Sequence, residues 1–114
     1  MAKIYHNPRC RKSRETLQLL EDKKIDVDVV LYLKNGPTKT ELKEIVTQLG
    51  ISPLDLIRKG ESLFKENYKG KSLSDDKWIE VMVDNPILIE RPIVIHQGKA
   101  KIGRPPESVL DLFS

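Results

Sequence analysis

KIYHNPRCRKSRETLQLLEDKKIDVDVVLYL, residues 3–33, is the stretch from which the fold can be predicted. Residues 3–5 end in side chains that favour a strand, and Asn7-Pro8 behind them is typical of a loop. Residues 11–24 are rich in strong helix formers. Residues 25–33 alternate apolar side chains with a period of two, which predicts a strand. Strand, helix and strand at this spacing indicate two parallel strands joined by a right-handed crossover.

The later elements follow from similar patterns. They are a helix capped by Thr38 and ending at Leu49, short helical pieces over 51–73, a helix from Ser74 to the residue before Asn85-Pro86, strands over 93–95 and 100–102 around a turn at Gln97-Gly98, and a last helix starting at Pro105 and Pro106. This order predicts an α/β fold with a mixed sheet of about four strands covered by helices. Because half of 114 residues could not bury a core unaided, residues 1–114 are predicted to form one domain.

Composition argues against several classes of protein. A net charge of +3 and 5% aromatic residues are too little for a typical nucleic-acid binder, and one cysteine with two histidines is too few for a metal site. No apolar run approaches the ~20 residues that span a bilayer, and the first residues lack the apolar stretch of a secretory signal. A lone cysteine cannot form an internal disulfide. We therefore expect a cytoplasmic protein that binds no metal, nucleic acid or membrane.

The single cysteine, Cys10, lies in the densest cluster of positive charge, beside Arg9, Arg11, Lys12 and Arg14. It also precedes a predicted helix, whose first N–H groups favour an anion. Such surroundings lower a cysteine pKa from ~8.5 to ~3.5–7.5. We expect Cys10 to be largely ionised at neutral pH, with the helix end and the cations Arg11, Lys12 and Arg14 converging on it. The alternative is a buried structural cysteine among solvated cations.

The segment IYHNPRCRKSRETL resembles the active-site segment of the glutathione- and glutaredoxin-coupled arsenate reductases, the ArsC family, which has a thioredoxin-like fold. Further blocks are similar to later parts of that family and come in the same order: LYLKNGPTKTEL, LIRKGE, DNPILIERPIVI and KIGRPPESVLDLF. The resemblance covers nearly the whole chain and implies a thioredoxin-like domain. It departs at Arg11-Lys12, where well-characterised members have Gly-Thr, so two bulky cations occupy the loop where an oxyanion would lie.

The resemblance implies roles for individual residues. Cys10 would be the nucleophile and His6 would favour its thiolate, while the arginines that match the family's oxyanion-binding positions are Arg58, Arg91 and Arg104. The active-site loop would comprise Asn7, Pro8, Arg11, Ser13 and Pro92, the last preceded by a cis peptide bond. From the residues alone, each arginine could instead be a solvated surface residue, His6 could merely hydrogen-bond the loop, and Ser13 is most simply a helix-capping residue.

The function implied by the resemblance is that of an oxidoreductase, an arsenate reductase that works through a covalent Cys10–arsenate intermediate. Glutathione would be the co-substrate, glutaredoxin the protein partner, and no cofactor would be bound. Two alternatives remain open. One is another glutathione-linked thiol oxidoreductase. The other is a non-catalytic regulator of the Spx-like branch, which binds RNA polymerase; that branch commonly has a Cys-x-x-Cys switch, whose second position here is Ser13.

Overall fold

A computed structural model describes residues 2–113 of the chain. These residues divide into two compact units, one made of residues 2–35 together with 91–113, and the other of Gly36–Glu90. The first unit contains the sheet and the second consists of helices. No helix in the described part of the chain is both long and apolar enough to cross a membrane. That all 114 residues form one domain stays a prediction.

The first unit is built on a four-stranded sheet with the strand order β2-β1-β3-β4. The strands are β1 (Ala2–Tyr5), β2 (Val27–Val30), β3 (Ile93–His96) and β4 (Lys99–Ile102). β1 pairs in parallel with β2 and antiparallel with β3, and β3 pairs antiparallel with β4. The mixed sheet and the β-α-β start confirm the predicted α/β fold class.

Two helices enclose the core of this unit on one face of the sheet. They are α1 (Arg11–Asp22) and a C-terminal 3-10 helix (Pro106–Phe113). Ile4 and Val94 are paired across β1 and β3, and they form a fully buried cluster with Leu20 of α1 and Val109 of the 3-10 helix. Each such side chain contributes about 1.5–3 kcal/mol to stability by leaving water. This packing fixes α1 against the sheet. It thereby also positions residues 6–10, the loop between β1 and α1 that is called the Cys10 loop below.

The predicted second strand is too long. β2 ends at Val30, and the chain then turns, with the N–H groups of Lys34 and Asn35 both donating to the Leu31 carbonyl. β2 is an edge strand, so only one of its sides pairs, and the Leu33 side chain remains 43% exposed. The alternation of apolar residues over 25–33 therefore continues past the last residue that pairs in the sheet, Val30.

The predicted hairpin is confirmed. Gln97 and Gly98 connect β3 to β4 with φ values of 50° and 78°. Two consecutive positive φ angles are typical of the type I′ turn, whose twist matches that of the flanking strands. The last helix begins near the predicted proline pair but is a 3-10 helix rather than an α-helix, and Ser108 N–H donates to the Pro105 carbonyl three residues earlier.

The second unit contains helices whose starts are set by local capping. They are α2 (Lys39–Leu49), α3 (Pro53–Leu56), α4 (Ser62–Asn67), α5 (Asp75–Asp84) and a short 3-10 turn (Pro86–Leu88). Thr38 and Glu41 form a reciprocal capping box at the start of α2, and the Ser74 hydroxyl accepts from Lys77 N–H at the start of α5. Both predicted N-caps are confirmed.

Gly103, which follows β4, packs its backbone closely against α1 and the segment before β3. Its N–H donates to the Pro92 carbonyl at 2.9 Å. A Cβ atom at this position would lie 2.5 Å from Thr16 Oγ1 and 2.7 Å from Pro92 Cγ. Both distances are shorter than van der Waals contact, so a side chain would force apart α1 and the segment that leads into β3.

We predict that Gly103→Ala lowers the free energy of unfolding by about 1–3 kcal/mol, because the added methyl group overpacks this contact. Gly60→Ala is the matched control, since a Cβ there meets no atom within 4 Å and the residue needs no positive φ. Urea denaturation of both variants measures the difference. Equal stability of the two variants would contradict the close approach.

Candidate active site

The topology of the sheet brings three separate parts of the chain to one edge. Cys10 follows the carboxyl end of β1, Arg91 precedes β3, and Arg104 follows β4. Because β3 runs antiparallel to β1 and β4 antiparallel to β3, all three positions belong to the same edge of the sheet. The sequence separates Cys10 from the two arginines by more than 80 residues.

Both arginines contact the cysteine sulfur. The Arg104 Nη2 atom lies 3.6 Å from Cys10 Sγ, and the Arg104 Nε–H donates to the Arg91 backbone carbonyl at 2.9 Å. The Arg91 side chain hydrogen-bonds the Cys10 sulfur as well. The two guanidiniums therefore carry donors to the sulfur, and further donors of the same groups are suited to bind an oxyanion beside it.

The pKa of Cys10 is lowered in the fold. Partial burial alone raises the pKa, but a hydrogen bond from Ser13 N–H, a hydrogen bond from Arg91, and the positive charges of Arg91 and Arg104 outweigh it. The direction of this shift is the one expected from the sequence; that Cys10 is largely ionised at neutral pH stays a prediction. Ser13 N–H is one of the free donors of the first turn of α1, at whose N-cap Cys10 lies.

Two of the cations next to Cys10 in the sequence, Arg11 and Arg14, have other partners. Arg11 is paired with Glu15 at 2.8 Å with its side chain 83% exposed, and Arg14 donates to the Pro8 carbonyl at 2.9 Å. The prediction that the neighbouring cations converge on Cys10 is wrong for these two residues. Arg11 is the first residue of an exposed helix turn, where an i,i+4 carboxylate is closer to its guanidinium than the sulfur is.

Ser13 organises the loop before the helix. Its hydroxyl accepts from Asn7 N–H at 3.0 Å and lies 2.6 Å from His6 Nδ1, and all three residues are buried. The expectation that Ser13 caps the helix is wrong, because it is the third residue of α1 and its hydroxyl bonds the incoming loop instead. The His6–Ser13 contact holds the residue whose N–H donates to Cys10.

The contact of His6 with Ser13 links the imidazole indirectly to Cys10. Burial lowers the pKa of His6, and the charge of Arg14 lowers it further. An imidazole with a pKa below its ordinary value is neutral at pH 7, so it supplies no positive charge to attract a thiolate. A role of His6 in favouring the thiolate stays a prediction.

The remaining loop residues form a turn around Cys10. The Asn7 side-chain oxygen accepts from Arg9 N–H at 3.0 Å, and the Asn7 carbonyl accepts from Cys10 N–H at 2.9 Å. The peptide bond between Arg91 and Pro92 is cis, as the resemblance implies, and the bond between Arg104 and Pro105 is cis as well.

Arg58, the remaining candidate for oxyanion binding, belongs to the second unit. Its guanidinium lies 3.6 Å from Glu61 and 3.7 Å from Glu90, and its backbone N–H donates to the Leu88 carbonyl. Two carboxylates thus orient Arg58 within its own unit. That it joins Arg91 and Arg104 at Cys10 stays a prediction.

Comparison with known proteins places these residues in a family. The ArsC family model matches residues 5–112. The chain belongs to the ArsC family. An Escherichia coli K12 protein named YfgD, described as uncharacterized, is 52% identical over 96% of this chain and 94% of its own length. The arsenate reductase of Haemophilus influenzae is 46% identical over 96% of this chain and 97% of its own length.

Solved structures agree with the ArsC assignment. The arsenate reductase from Vibrio cholerae superimposes with a TM-score of 0.93 at 49% identity, covering 97% of this chain and 96% of the other. The YFFB (PA3664) protein, at 19% identity, has the same fold with a TM-score of 0.86. The four-stranded mixed sheet is therefore the thioredoxin-like sheet expected from the resemblance.

Two features of the site were not found from the sequence. One is the set of groups that lower the Cys10 pKa. The residues alone did not identify Arg91 and Arg104, because nothing in their neighbouring sequence marks them; only the family resemblance did. The other is the segment after β2, where Leu31, Leu33 and Lys34 turn back beside the Cys10 loop. The loss of strand pairing at Val30 creates that turn, and alternation of apolar residues gave no sign of it.

We predict that Arg104→Gln raises the pKa of Cys10, because it removes both a positive charge and a donor from the sulfur. Arg11→Gln is the control, since that guanidinium pairs with Glu15 instead. The rate of iodoacetamide alkylation against pH gives the apparent pKa of each protein. The unmodified protein should show a value below ~8.5. A larger shift from Arg11→Gln than from Arg104→Gln would contradict the assignment of charges.

Proposed function

We propose that this chain is an arsenate reductase that uses Cys10 as its nucleophile, glutathione as the second thiol and glutaredoxin to restore the cysteine. The observation that carries the proposal is the contact of the Cys10 sulfur with the Arg91 and Arg104 side chains. Relatives named arsenate reductase, with 44% and 46% identity over nearly the full chain, support the choice of substrate.

The first step is attack of the Cys10 thiolate on arsenic. A sulfur–arsenic bond forms, one arsenic–oxygen bond breaks, and the oxygen leaves as hydroxide or, after protonation, as water. Arsenate is a tetrahedral oxyanion, so forked N–H donors of Arg91 and Arg104 can hold its oxygens and offset charge that develops there. The lowered pKa of Cys10 increases the fraction of the nucleophilic thiolate at a given pH.

The second step reduces arsenic. A glutathione thiolate attacks the Cys10 sulfur, a disulfide bond forms, and the electron pair of the sulfur–arsenic bond stays on arsenic, which leaves as arsenite. Two thiols thereby supply the two electrons that convert As(V) to As(III). The chain has one cysteine, so the second thiol must come from outside. Glutaredoxin then exchanges the mixed disulfide and returns Cys10 to the thiol.

We predict that arsenate and glutathione together convert Cys10 into a mixed disulfide. Acid quenching followed by intact mass measurement should show a single added glutathione, and peptide mapping should locate it at Cys10. Cys10→Ser should give neither the adduct nor arsenite, although Arg91 and Arg104 are still present. Arsenite formed by the Cys10→Ser protein, or formed by the unchanged protein without any added thiol, would overturn the mechanism.

We also predict that Arg91→Lys and Arg104→Lys each lower kcat/KM for arsenate by about tenfold or more, because lysine keeps the charge but loses the fork of donors. Arg11→Lys is the control and should stay near the activity of the unchanged protein. Steady-state arsenite production with glutathione and glutaredoxin held in excess measures each value. Full activity of both Lys variants would show that arsenate reduction does not require the paired N–H donors of the guanidiniums.

A further inference from the structure

A groove lies beside the Cys10 loop, on the side away from the two arginines. β1 and β2 are parallel, so the segments that follow them leave the sheet at the same edge, and His6 N–H extends the pairing by donating to the Val30 carbonyl. The crevice outside the carboxyl ends of parallel strands is where ligands bind in open α/β sheets. Here it has a volume of about 340 Å³, within the range of small-ligand sites.

The walls of the groove combine apolar surface with two positive charges. Leu31 and Leu33 form the wall after β2, and Leu33 is one of the few large apolar side chains left exposed. Arg9 stands on the wall formed by the Cys10 loop and Lys34 on the opposite wall. Among residues 2–113, no carboxylate forms an ion pair with Arg9 or Lys34. An occupant with a carboxylate towards each wall would complement both charges.

We propose that this groove binds the co-substrate thiol, a tripeptide-sized thiol with a carboxylate at each end and the sulfur between them, as in glutathione. The inference rests on the proposed function, which requires an external thiol to reach Cys10. The groove wall includes the residues immediately before Cys10 in the chain. An extended tripeptide spans ~10 Å, so its terminal carboxylates would face Arg9 and Lys34 while its central thiol is directed towards the end of the loop at Cys10.

The order of groups along the sheet edge suits the second chemical step. The groove lies towards β2, Cys10 follows β1, and Arg91 and Arg104 lie towards β3 and β4. Displacement at sulfur proceeds with the attacking and leaving atoms roughly in line. A thiol that arrives from the groove and an arsenic held by the arginines would therefore lie on opposite sides of the Cys10 sulfur, as the reaction requires.

The test measures attack of the thiol on Cys10 without arsenate. Cys10 is first converted to its mixed disulfide with thionitrobenzoate, whose release by an added thiol is followed by absorbance. Glutathione, glutathione diethyl ester and 2-mercaptoethanol are compared as attacking thiols. We expect the rate to saturate with glutathione and to rise linearly with the two thiols that lack carboxylates. Lys34→Gln should raise the half-saturating glutathione concentration about two- to fivefold, the usual size for an exposed charge pair.

Matched variants separate binding in the groove from general effects. Lys101→Gln removes an exposed lysine on β4, and Val29→Ala shortens an apolar side chain as exposed as Leu33 but outside the groove. Leu33→Ala should weaken glutathione saturation, whereas both controls should leave it unchanged. Titration with S-methylglutathione, which cannot exchange, should shift the amide NMR signals of His6, Asn7, Arg9 and residues 31–34.

The outcomes distinguish this inference from the proposed function. Saturation by glutathione that depends on Lys34 supports the groove even if the protein reduces no arsenate. Arsenate reduction together with linear glutathione kinetics, or with kinetics that Lys34→Gln leaves unchanged, overturns the groove and leaves the reductase function standing. A Lys34→Gln effect seen only when glutaredoxin is the attacking thiol also overturns it, because the groove would then serve the protein partner.

Discussion

The pairing of β1 with a parallel strand on one side and an antiparallel strand on the other is the constraint on which the site depends. The parallel pair brings the segment after Val30 beside the Cys10 loop. The antiparallel partners bring Arg91 and Arg104 to the same edge. One short central strand therefore determines which groups meet the cysteine from either side, and the buried contact of Ile4 with Val94 holds that strand in register.

The groups that lower the pKa of Cys10 are not the cations that lie next to it in the sequence. Ser13 N–H and two distant guanidiniums act on the sulfur, and Ser13 is held by its bonds to His6 and Asn7. Arg11 is directed outwards to Glu15. Arg11 and Lys12 are the positions at which this chain departs from well-characterised relatives. Because neither residue makes the contacts that lower the Cys10 pKa, side chains of different size can be accommodated there.

The sequence was most informative where structure is decided locally. Thr38 and Ser74 begin helices because a side-chain oxygen satisfies N–H groups three residues away, and Gln97-Gly98 turns because both residues adopt positive φ. The end of β2 was missed because it depends on which strands pair, and the role of Ser13 because its partners lie in the preceding loop. Arg91 and Arg104 were named only through family resemblance, since through-space electrostatics leaves no local pattern.

The two guanidiniums at Cys10 also determine when the thiol becomes reactive during synthesis. Cys10 is made more than 80 residues before Arg91 and Arg104, which flank the β3–β4 hairpin. Chains emerge at about 5–20 residues per second, so the cysteine spends several seconds without the cations that lower its pKa. Until the hairpin pairs with β1, the Cys10 thiol lacks both guanidiniums and is less prone to oxidation and mispairing than in the complete fold. Completion of the sheet is thus the event that activates the nucleophile.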